Sequence, residues 1–190
     1  MTTEVPRRLF TREEYHRMAE VGILSEDDRV ELIHGEILQM SPIGDFHAAI
    51  VSRLNTLLTP LLLPQYLVNV QNPVHIGNRS EPEPDISVLP FREDYYAQGG
   101  VKAEHVLLLI EVSDSTGRRS ALRIDRQIKL PLYATAGIPE VWIVDVGRKR
   151  LEVYHQPKNG YYGQSSVLER EDRVSATQLS LEVRVKEIIG

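Results

Sequence analysis

Apolar residues follow one another without interruption at two places in the second half of the chain. Residues 106–110 are Val-Leu-Leu-Leu-Ile, and residues 141–145 are Val-Trp-Ile-Val-Asp. Runs of this kind are typical of central strands that are covered on both faces. Residues 85–89 alternate apolar and polar positions and predict a shorter strand that follows a proline. The pattern predicts a buried sheet, with Trp142 in the core rather than at a base-stacking surface.

Two segments in the first third of the chain have the period of amphipathic helices. Residues 11–19 begin with Thr11, and Glu14 follows three positions later, a spacing that predicts a capping box. Residues 45–63 repeat apolar side chains at helical spacing. We therefore expect a short capped helix and a long helix that packs on the sheet.

Two strand pairs complete the pattern. Residues 30–33 and 36–40 are separated by a His-Gly pair, and residues 151–155 and 161–168 by a segment that contains Asn-Gly. Short linkers of this composition favour β-hairpins. The order of helices and strands predicts an α/β sheet with helices on both faces.

Residues 91–104 separate two of the predicted strands and mix aromatic, charged and glycine residues. Short strands are predicted before them, at residues 66–70 and 74–76. We expect residues 91–104 to form a mobile surface loop, with an influence on substrate access as the alternative.

The composition sets wider limits. A chain of 190 residues with 42% hydrophobic residues is long enough for a single domain over residues 1–190. It contains no cysteine, which excludes disulfides and thiolate zinc sites. No segment has the length of a membrane span, so a cytoplasmic protein is expected. A formal charge of −5 argues against a general polyanion binder, and any nucleic-acid contact must use a local basic zone.

Two acids occupy costly positions in the predicted sheet. Glu111 extends the apolar run at residues 106–110, and Asp85 opens the neighbouring short strand. A carboxylate beside a buried strand requires a partner or a metal ion. If the strands are neighbours, the two acids converge, and a hard cation such as Mg²⁺ would relieve their repulsion. The alternative is that Asp85 caps a turn and Glu111 pairs with an arginine.

The helix predicted at residues 121–136 carries further charged groups. Asp125 and Lys129 are four positions apart and therefore share one side of it, which is also the spacing of an ordinary surface ion pair. Pro131 lacks a backbone donor and is expected to bend the last turns. Four arginines lie at or near the start of this helix and are candidates for phosphate contacts or for a solvated helix face: Arg118, Arg119, Arg123 and Arg126.

Together these residues resemble a known family. Asp85, Glu111-Val112, the Ser-Thr turn, Asp125 with Lys129, and residues 133–145 look like the Uma-two family of restriction endonucleases, within the PD-(D/E)XK superfamily. In the N-terminal half the likeness includes residues 30–37 and the Ser41-Pro42 pair followed by His47. The resemblance spans about residues 11–154. It implies a restriction-endonuclease-like fold, in which a mixed central sheet is flanked by helices and extended by an N-terminal hairpin and a C-terminal β extension.

The resemblance also implies roles for individual residues. Asp85 and Glu111 would be metal ligands, Val112 would offer its carbonyl, and Lys129 would position or activate water. Ser113 stands where the superfamily usually has its lysine, so Lys129 would bring the ammonium from the following helix. Further candidates are Glu31, as an added catalytic acid or a surface strand carboxylate, His47, for packing or phosphate contact, and Asp125, as a support for the lysine.

The activity implied by the likeness is hydrolysis of DNA phosphodiesters with Mg²⁺, for which Mn²⁺ is a possible substitute. A homodimer would let two sites cut two strands. Two alternatives remain open at this point: a catalytically lapsed nuclease-fold domain that binds DNA or another protein, and a hydrolase that acts on RNA or another phosphoester.

Overall fold

A six-stranded sheet runs through the middle of the molecule. The computed structural model describes residues 6–25, 27–40, 42–113 and 124–190. In spatial order the strands are β10 (Tyr161–Leu168), β9 (Arg150–Lys158), β8 (Glu140–Asp145), β7 (Leu108–Ser113), β5 (Ile86–Pro90) and β3 (Tyr66–Val70). Strands β7 and β8 are parallel, and the other neighbouring pairs are antiparallel. The sheet is therefore mixed, and its two most apolar strands lie at its centre.

One face of the sheet packs against the long helix α2 (Asp45–Leu62) and the C-terminal helix Val185–Ile189. Alternate residues of β7 and β8, among them Ile110 and Trp142, point to this side and are fully buried. A small hairpin, β11 (Arg173–Ser175) with β12 (Glu182–Arg184), packs on the same core. Trp142 is thus a core residue, as expected. Within the described ranges, no helix is long and apolar enough to cross a membrane.

The other face is covered by residues 125–135, which we call the site helix. Its last part, Leu130–Thr135, is α-helical, and Tyr133 packs there against Leu109 and Ile143 of the sheet. Helices on both faces of a mixed sheet confirm the predicted fold class. The predicted N-terminal hairpin and the C-terminal β extension, strands β9 and β10, are also present.

The site helix begins with a wide turn. Residues Asp125–Lys129 are π-helical, and the Leu130 N–H donates to the Asp125 carbonyl five positions earlier. Pro131 follows directly. Because it has no N–H to donate, an ordinary helix would lose a hydrogen bond at this residue, and the wide turn lies just before it. The predicted disturbance is therefore a widened turn before Pro131 rather than a bend after it.

The N-terminal elements confirm the capping and hairpin patterns. Helix α1 spans Arg12–Glu20, and Thr11 and Glu14 form both hydrogen bonds of a capping box. Strands β1 (Val30–Ile33) and β2 (Glu36–Gln39) pair antiparallel across a two-residue turn. This hairpin carries Glu31 on its buried side.

Residues 91–104 differ from the expected mobile surface loop. Tyr96 is only 4% exposed, packs in the core of the site-helix face and donates its hydroxyl hydrogen to the Pro90 carbonyl. Strand β6 (Val101–Lys102) pairs parallel with β4 (Val74–His75). Apolar anchors within a polar segment therefore fix it to the body of the protein.

Candidate functional site

Asp85 and Glu111 lie beside each other at one end of the sheet. Strands β5 and β7 pair antiparallel with Ile86 opposite Ile110, so the next positions along, Asp85 and Glu111, are neighbours. Their side chains share the face that the site helix covers, and both residues are buried, at 7% and 3% exposure. The strand arrangement thus brings the two acids together, as the sequence analysis required of a metal site.

Asp85 is held by contacts from three directions. One carboxylate oxygen accepts a hydrogen bond from the Val112 N–H at 2.8 Å. The other lies 2.8 Å from His47 Nε2 and 3.3 Å from Gln71 Nε2. These contacts fix the orientation of the carboxylate within the site.

His47 lies on the first turn of α2 and also hydrogen-bonds the backbone of Val112. Burial alone would lower the pKa of His47, but the hydrogen bond to Asp85 and its negative charge outweigh this and raise it. The ring therefore contacts two of the groups that were predicted to bind metal.

Lys129 reaches the same place from the site helix. Its ammonium lies 3.1 Å from Glu31 Oε2 and 3.4 Å from Glu111 Oε1, and the residue is only 4% exposed. Burial alone would lower the pKa of Lys129, but the negative charges of Glu111, Glu31 and Asp125 outweigh it and raise the pKa above its usual value. The lysine is thus a buried, charged ammonium between two carboxylates.

Glu31 was open between a site role and a surface position. The hairpin β1–β2 turns its side chain inward, where it is 4% exposed. Besides Lys129, its carboxylate accepts a hydrogen bond from the Glu83 N–H at 3.3 Å. Glu31 therefore lies in the site rather than on a strand surface.

Glu111 is crowded by other acids. The Tyr133 hydroxyl donates to its Oε1 at 2.6 Å, beside the lysine contact. Burial raises its pKa well above the usual value; Lys129 opposes the shift, whereas the charges of Asp125 and Asp85 add to it. A cation at this point would relieve both the burial penalty and the repulsion.

Asp125 pairs differently from the simple helical spacing. It accepts a hydrogen bond from the hydroxyl of Ser113. Burial raises the pKa of Asp125 to about 6, although Lys129 and the Ser113 hydrogen bond both act to lower it. Ser113 thus joins the end of β7 to the site helix, while Lys129 faces Glu31 and Glu111.

The arginine predictions have a mixed outcome. Arg118, Arg119 and Arg123 lie outside the described residues. Arg126 is described, and its guanidinium contacts Glu152 and lies 3.5 Å from Asp145. These ion pairs occupy much of its donor capacity, so Arg126 is tied to the protein rather than presented freely to a phosphate.

An open cleft of about 660 Å³ is lined by most of the site residues, among them Asp85, Glu111 and Lys129. Sequence reasoning missed several of its members, which are Arg29, Gln71 and Glu83. It also gave no role to Tyr133, whose hydroxyl donates to Glu111. Glu83 lies two positions before Asp85 in a Glu-Pro-Glu-Pro-Asp segment, and that run of acids was an available signal. Burial, followed by the charge of Glu31, raises the pKa of Glu83.

The donors at the site suit a hard divalent cation. The carboxylates of Asp85 and Glu111 are oxygen donors of the kind that Mg²⁺ prefers, and Val112 with its main-chain carbonyl follows Glu111 on the same strand. Within the part of the chain that the structure describes, no group of three or more His, Cys, Asp or Glu side chains is arranged to hold a metal ion. Two carboxylates and a main-chain carbonyl would leave the remaining positions to water, which agrees with the reluctance of Mg²⁺ to dehydrate fully.

Comparison with known proteins identifies the family of this chain. No curated protein matches the chain. Among solved structures, a crystal structure of a "putative nuclease belonging to DUF820" from Anabaena variabilis has a TM-score of 0.67 and 20% sequence identity, and covers 90% of this chain and 95% of that one. At this identity the likeness shows a shared fold. The Uma2 (Uma-two) family model, described as "putative restriction endonuclease", matches residues 12–186, and the chain belongs to this family.

Proposed function

We propose that this protein is a divalent-metal-dependent nuclease that hydrolyses phosphodiester bonds of DNA. The observation that carries the proposal is the meeting of Asp85 and Glu111 at the floor of an open cleft, with the Lys129 ammonium 3.4 Å from Glu111. The paired carboxylates suit the binding of a metal ion, and the fixed cation beside them suits the stabilisation of negative charge on a reacting phosphate. Membership of the restriction endonuclease family supports the same reaction class.

In this proposal each residue has a defined part. Asp85, Glu111 and the Val112 carbonyl hold Mg²⁺, or Mn²⁺ in its place. When bound, the cation lowers the pKa of a water molecule and stabilises charge on the phosphate oxygens. Lys129 orients the attacking water or neutralises charge on the phosphate, and Glu31 fixes the ammonium at 3.1 Å. Asp125 and Ser113 hold the site helix against β7.

A second candidate is a nuclease-fold domain that binds nucleic acid without cutting it. Its support is the way the site satisfies its own charges: Asp85 already contacts His47 and the Val112 N–H, and Lys129 bridges Glu31 and Glu111. A site of this kind can persist as a structural network after catalysis is lost.

The test compares cleavage of supercoiled plasmid, single-stranded DNA and RNA in the presence of Mg²⁺, Mn²⁺ or EDTA. We expect metal-dependent cutting of DNA, and a loss of at least 100-fold in Asp85→Asn and Glu111→Gln, since each removes a ligand charge. Glu171→Gln is the matched control, because Glu171 is a carboxylate with 66% side-chain exposure.

Thermal denaturation separates the two candidates. A rise in melting temperature with Mg²⁺ that disappears in Glu111→Gln supports a metal site at this position. DNA binding without cleavage, and without any response to metal, would overturn the nuclease proposal in favour of the second candidate. RNA cleavage alone would overturn the choice of DNA.

We also propose a homodimer, in which two-fold symmetry presents two sites to the two strands of a duplex. Sedimentation velocity tests this directly. A single species at the 21.6 kDa monomer mass across micromolar concentrations would contradict it.

A further inference from the structure

The turn between β8 and β9 carries a compact group of cationic side chains. Arg148 has 57% side-chain exposure, and Lys149 beside it is also exposed. Arg150 begins β9, and Arg126 of the site helix lies on the same side of the sheet. We call these four side chains the basic turn cluster. It stands out in a chain whose formal charge is −5.

Asp145, at the end of β8, fixes the conformation of this turn. It is fully buried, and one of its oxygens accepts a hydrogen bond from the Arg148 N–H at 3.1 Å. The other oxygen lies 3.3 Å from the Arg148 guanidinium, 3.5 Å from Arg126 and 3.7 Å from Arg150. A single carboxylate therefore holds three guanidinium groups close together.

The cluster has more positive than negative charge. Besides Asp145, Glu152 contacts Arg126 and Arg150, and Tyr154 donates its hydroxyl hydrogen to Glu152. Four cations thus face two carboxylates, which leaves an excess of two positive charges on these six residues. Arg148 and Lys149 present this excess charge to solvent, because Arg126 and Arg150 form ion pairs with Glu152.

The basic turn cluster adjoins the cleft. Ser113 of β7 is the register partner of Asp145, and neighbouring strands lie about 5 Å apart. The Val146 N–H donates to the Ser113 carbonyl at 3.1 Å, so the turn begins directly beside Ser113. The Ser113 hydroxyl in turn donates to Asp125, which lines the cleft. Ser113 therefore connects the turn to the cleft, through the backbone on one side and through Asp125 on the other.

We propose that Arg148 and Lys149 bind backbone phosphates of the nucleic-acid strand that occupies the cleft. The inference rests on the proposed function for the kind of ligand, and it adds a binding surface outside the catalytic groups. A guanidinium that is pre-positioned by Asp145 can present its fork to two phosphate oxygens, while Lys149 adds a point charge. This cluster is the local basic zone that an acidic chain needs in order to hold a polyanion.

The experiment measures binding of a fluorescein-labelled 20-base-pair duplex by anisotropy at 50 to 200 mM KCl, in EDTA so that the DNA stays intact. The slope of log K against log salt counts the phosphates that are neutralised. We expect Arg148→Ala/Lys149→Ala to reduce the magnitude of the slope by about 1 to 2 and to weaken binding several-fold at the lowest salt. Arg148→Lys keeps the charge and should retain most of the slope.

Arg173→Ala is the matched control. Arg173 has 65% side-chain exposure and lies on β11, and Thr177 just beyond that strand contacts Glu140 at the opposite end of β8. Its slope should equal that of the wild type. Circular dichroism and urea unfolding establish that each variant is folded, and Lys149→Gln provides a variant that keeps the contacts of Asp145 with the three arginines.

The outcomes separate this proposal from the proposed function. If the wild type binds the duplex and all variants match its slope, the surface assignment is overturned while the nuclease proposal stands. If the double variant loses slope but the wild type cuts no substrate with Mg²⁺ or Mn²⁺, the surface is supported and the nuclease proposal fails. Absence of duplex binding by the folded wild type would overturn the surface assignment.

Discussion

Replacing Lys129 by methionine removes the positive charge on which the buried acids depend. The substitution keeps a side chain of similar length, so the loss is mainly electrostatic. In the native protein the ammonium lies 3.1 Å from Glu31 and 3.4 Å from Glu111, and all three residues are at most 4% exposed. Without it, two buried carboxyl groups remain close together and lose the ammonium that lies between them.

Breaking a buried ion pair by removing one partner costs about 3–5 kcal/mol in the free energy of unfolding. We expect a loss in this range at pH 8 for Lys129→Met. With a urea m value of about 2 kcal/mol/M, the unfolding midpoint would fall by roughly 2 M.

The loss should depend on pH in a defined direction. Burial already raises the pKa of Glu111 in the folded protein, and Lys129 opposes that shift, so the variant raises it further. A folded-state pKa above the unfolded value means that stability is full below about pH 4.5 and declines as the pH rises through the folded pKa. Lys129 itself stays protonated from pH 5 to 8, since its pKa lies above its usual 10.5. The gap between wild type and variant should therefore widen from pH 5 to pH 8.

Urea unfolding followed by circular dichroism at pH 5, 6.5 and 8 measures this gap. In the double variant Glu31→Gln/Lys129→Met, the loss should be smaller than the sum of the two single losses by about 1–3 kcal/mol, because the groups interact directly. Lys186→Met is the control; its ion pair with the exposed Glu171 is worth less than about 1 kcal/mol. A Lys129→Met protein within 1 kcal/mol of wild type at pH 8, or a gap that does not grow with pH, would refute the reasoning.

Three further predictions concern groups around the site and the core. The Asp125 pKa of about 6 lies above its usual 3.8, so this group should make wild-type stability fall as the pH rises from 4 to 6. Asp125→Asn should remove on the order of 2 kcal/mol of that fall, measured by urea unfolding at pH 4.5 and 7. The same pH profile in variant and wild type would contradict this prediction. Tyr133→Phe removes a 2.6 Å hydrogen bond to Glu111 and should cost about 1–2 kcal/mol, whereas the exposed Tyr161→Phe should cost nothing measurable in the same assay. Trp142→Phe leaves Glu140 without its 2.6 Å indole partner and opens space in the core. We expect the free energy of unfolding, followed by circular dichroism, to fall by about 2–4 kcal/mol. A fall below about 1 kcal/mol would be evidence against a well-packed indole.

The main elements of the fold were readable in the sequence because each has a strong local signal. The apolar runs around residues 110 and 143 predicted the two central strands, and Thr11 with Glu14 predicted the start of α1. The pairing of β5 with β7 was the one long-range assumption, and it places Asp85 beside Glu111. Hydrophobic periodicity specifies which face of an element is buried, which is why these predictions hold.

Contacts between distant segments could not be predicted in the same way. The inward position of Glu31 depends on how the β1–β2 hairpin folds over the site helix, and the burial of Tyr96 depends on a loop anchored by a few apolar residues. The π-helical turn before Pro131 has no periodic signature, although it carries Lys129, which contacts Glu31 and Glu111. Tertiary packing decides such positions, and a local pattern carries no record of it.

Four of the charged groups that line the cleft are scattered along the chain, at positions 31, 85, 111 and 129, and Lys129 is the last of these to be synthesised. Strand β7 is also flanked on one side by β8, which ends only at Asp145. The four groups can therefore come together only after the segment through Asp145 has been synthesised, because β8 must be present to flank β7.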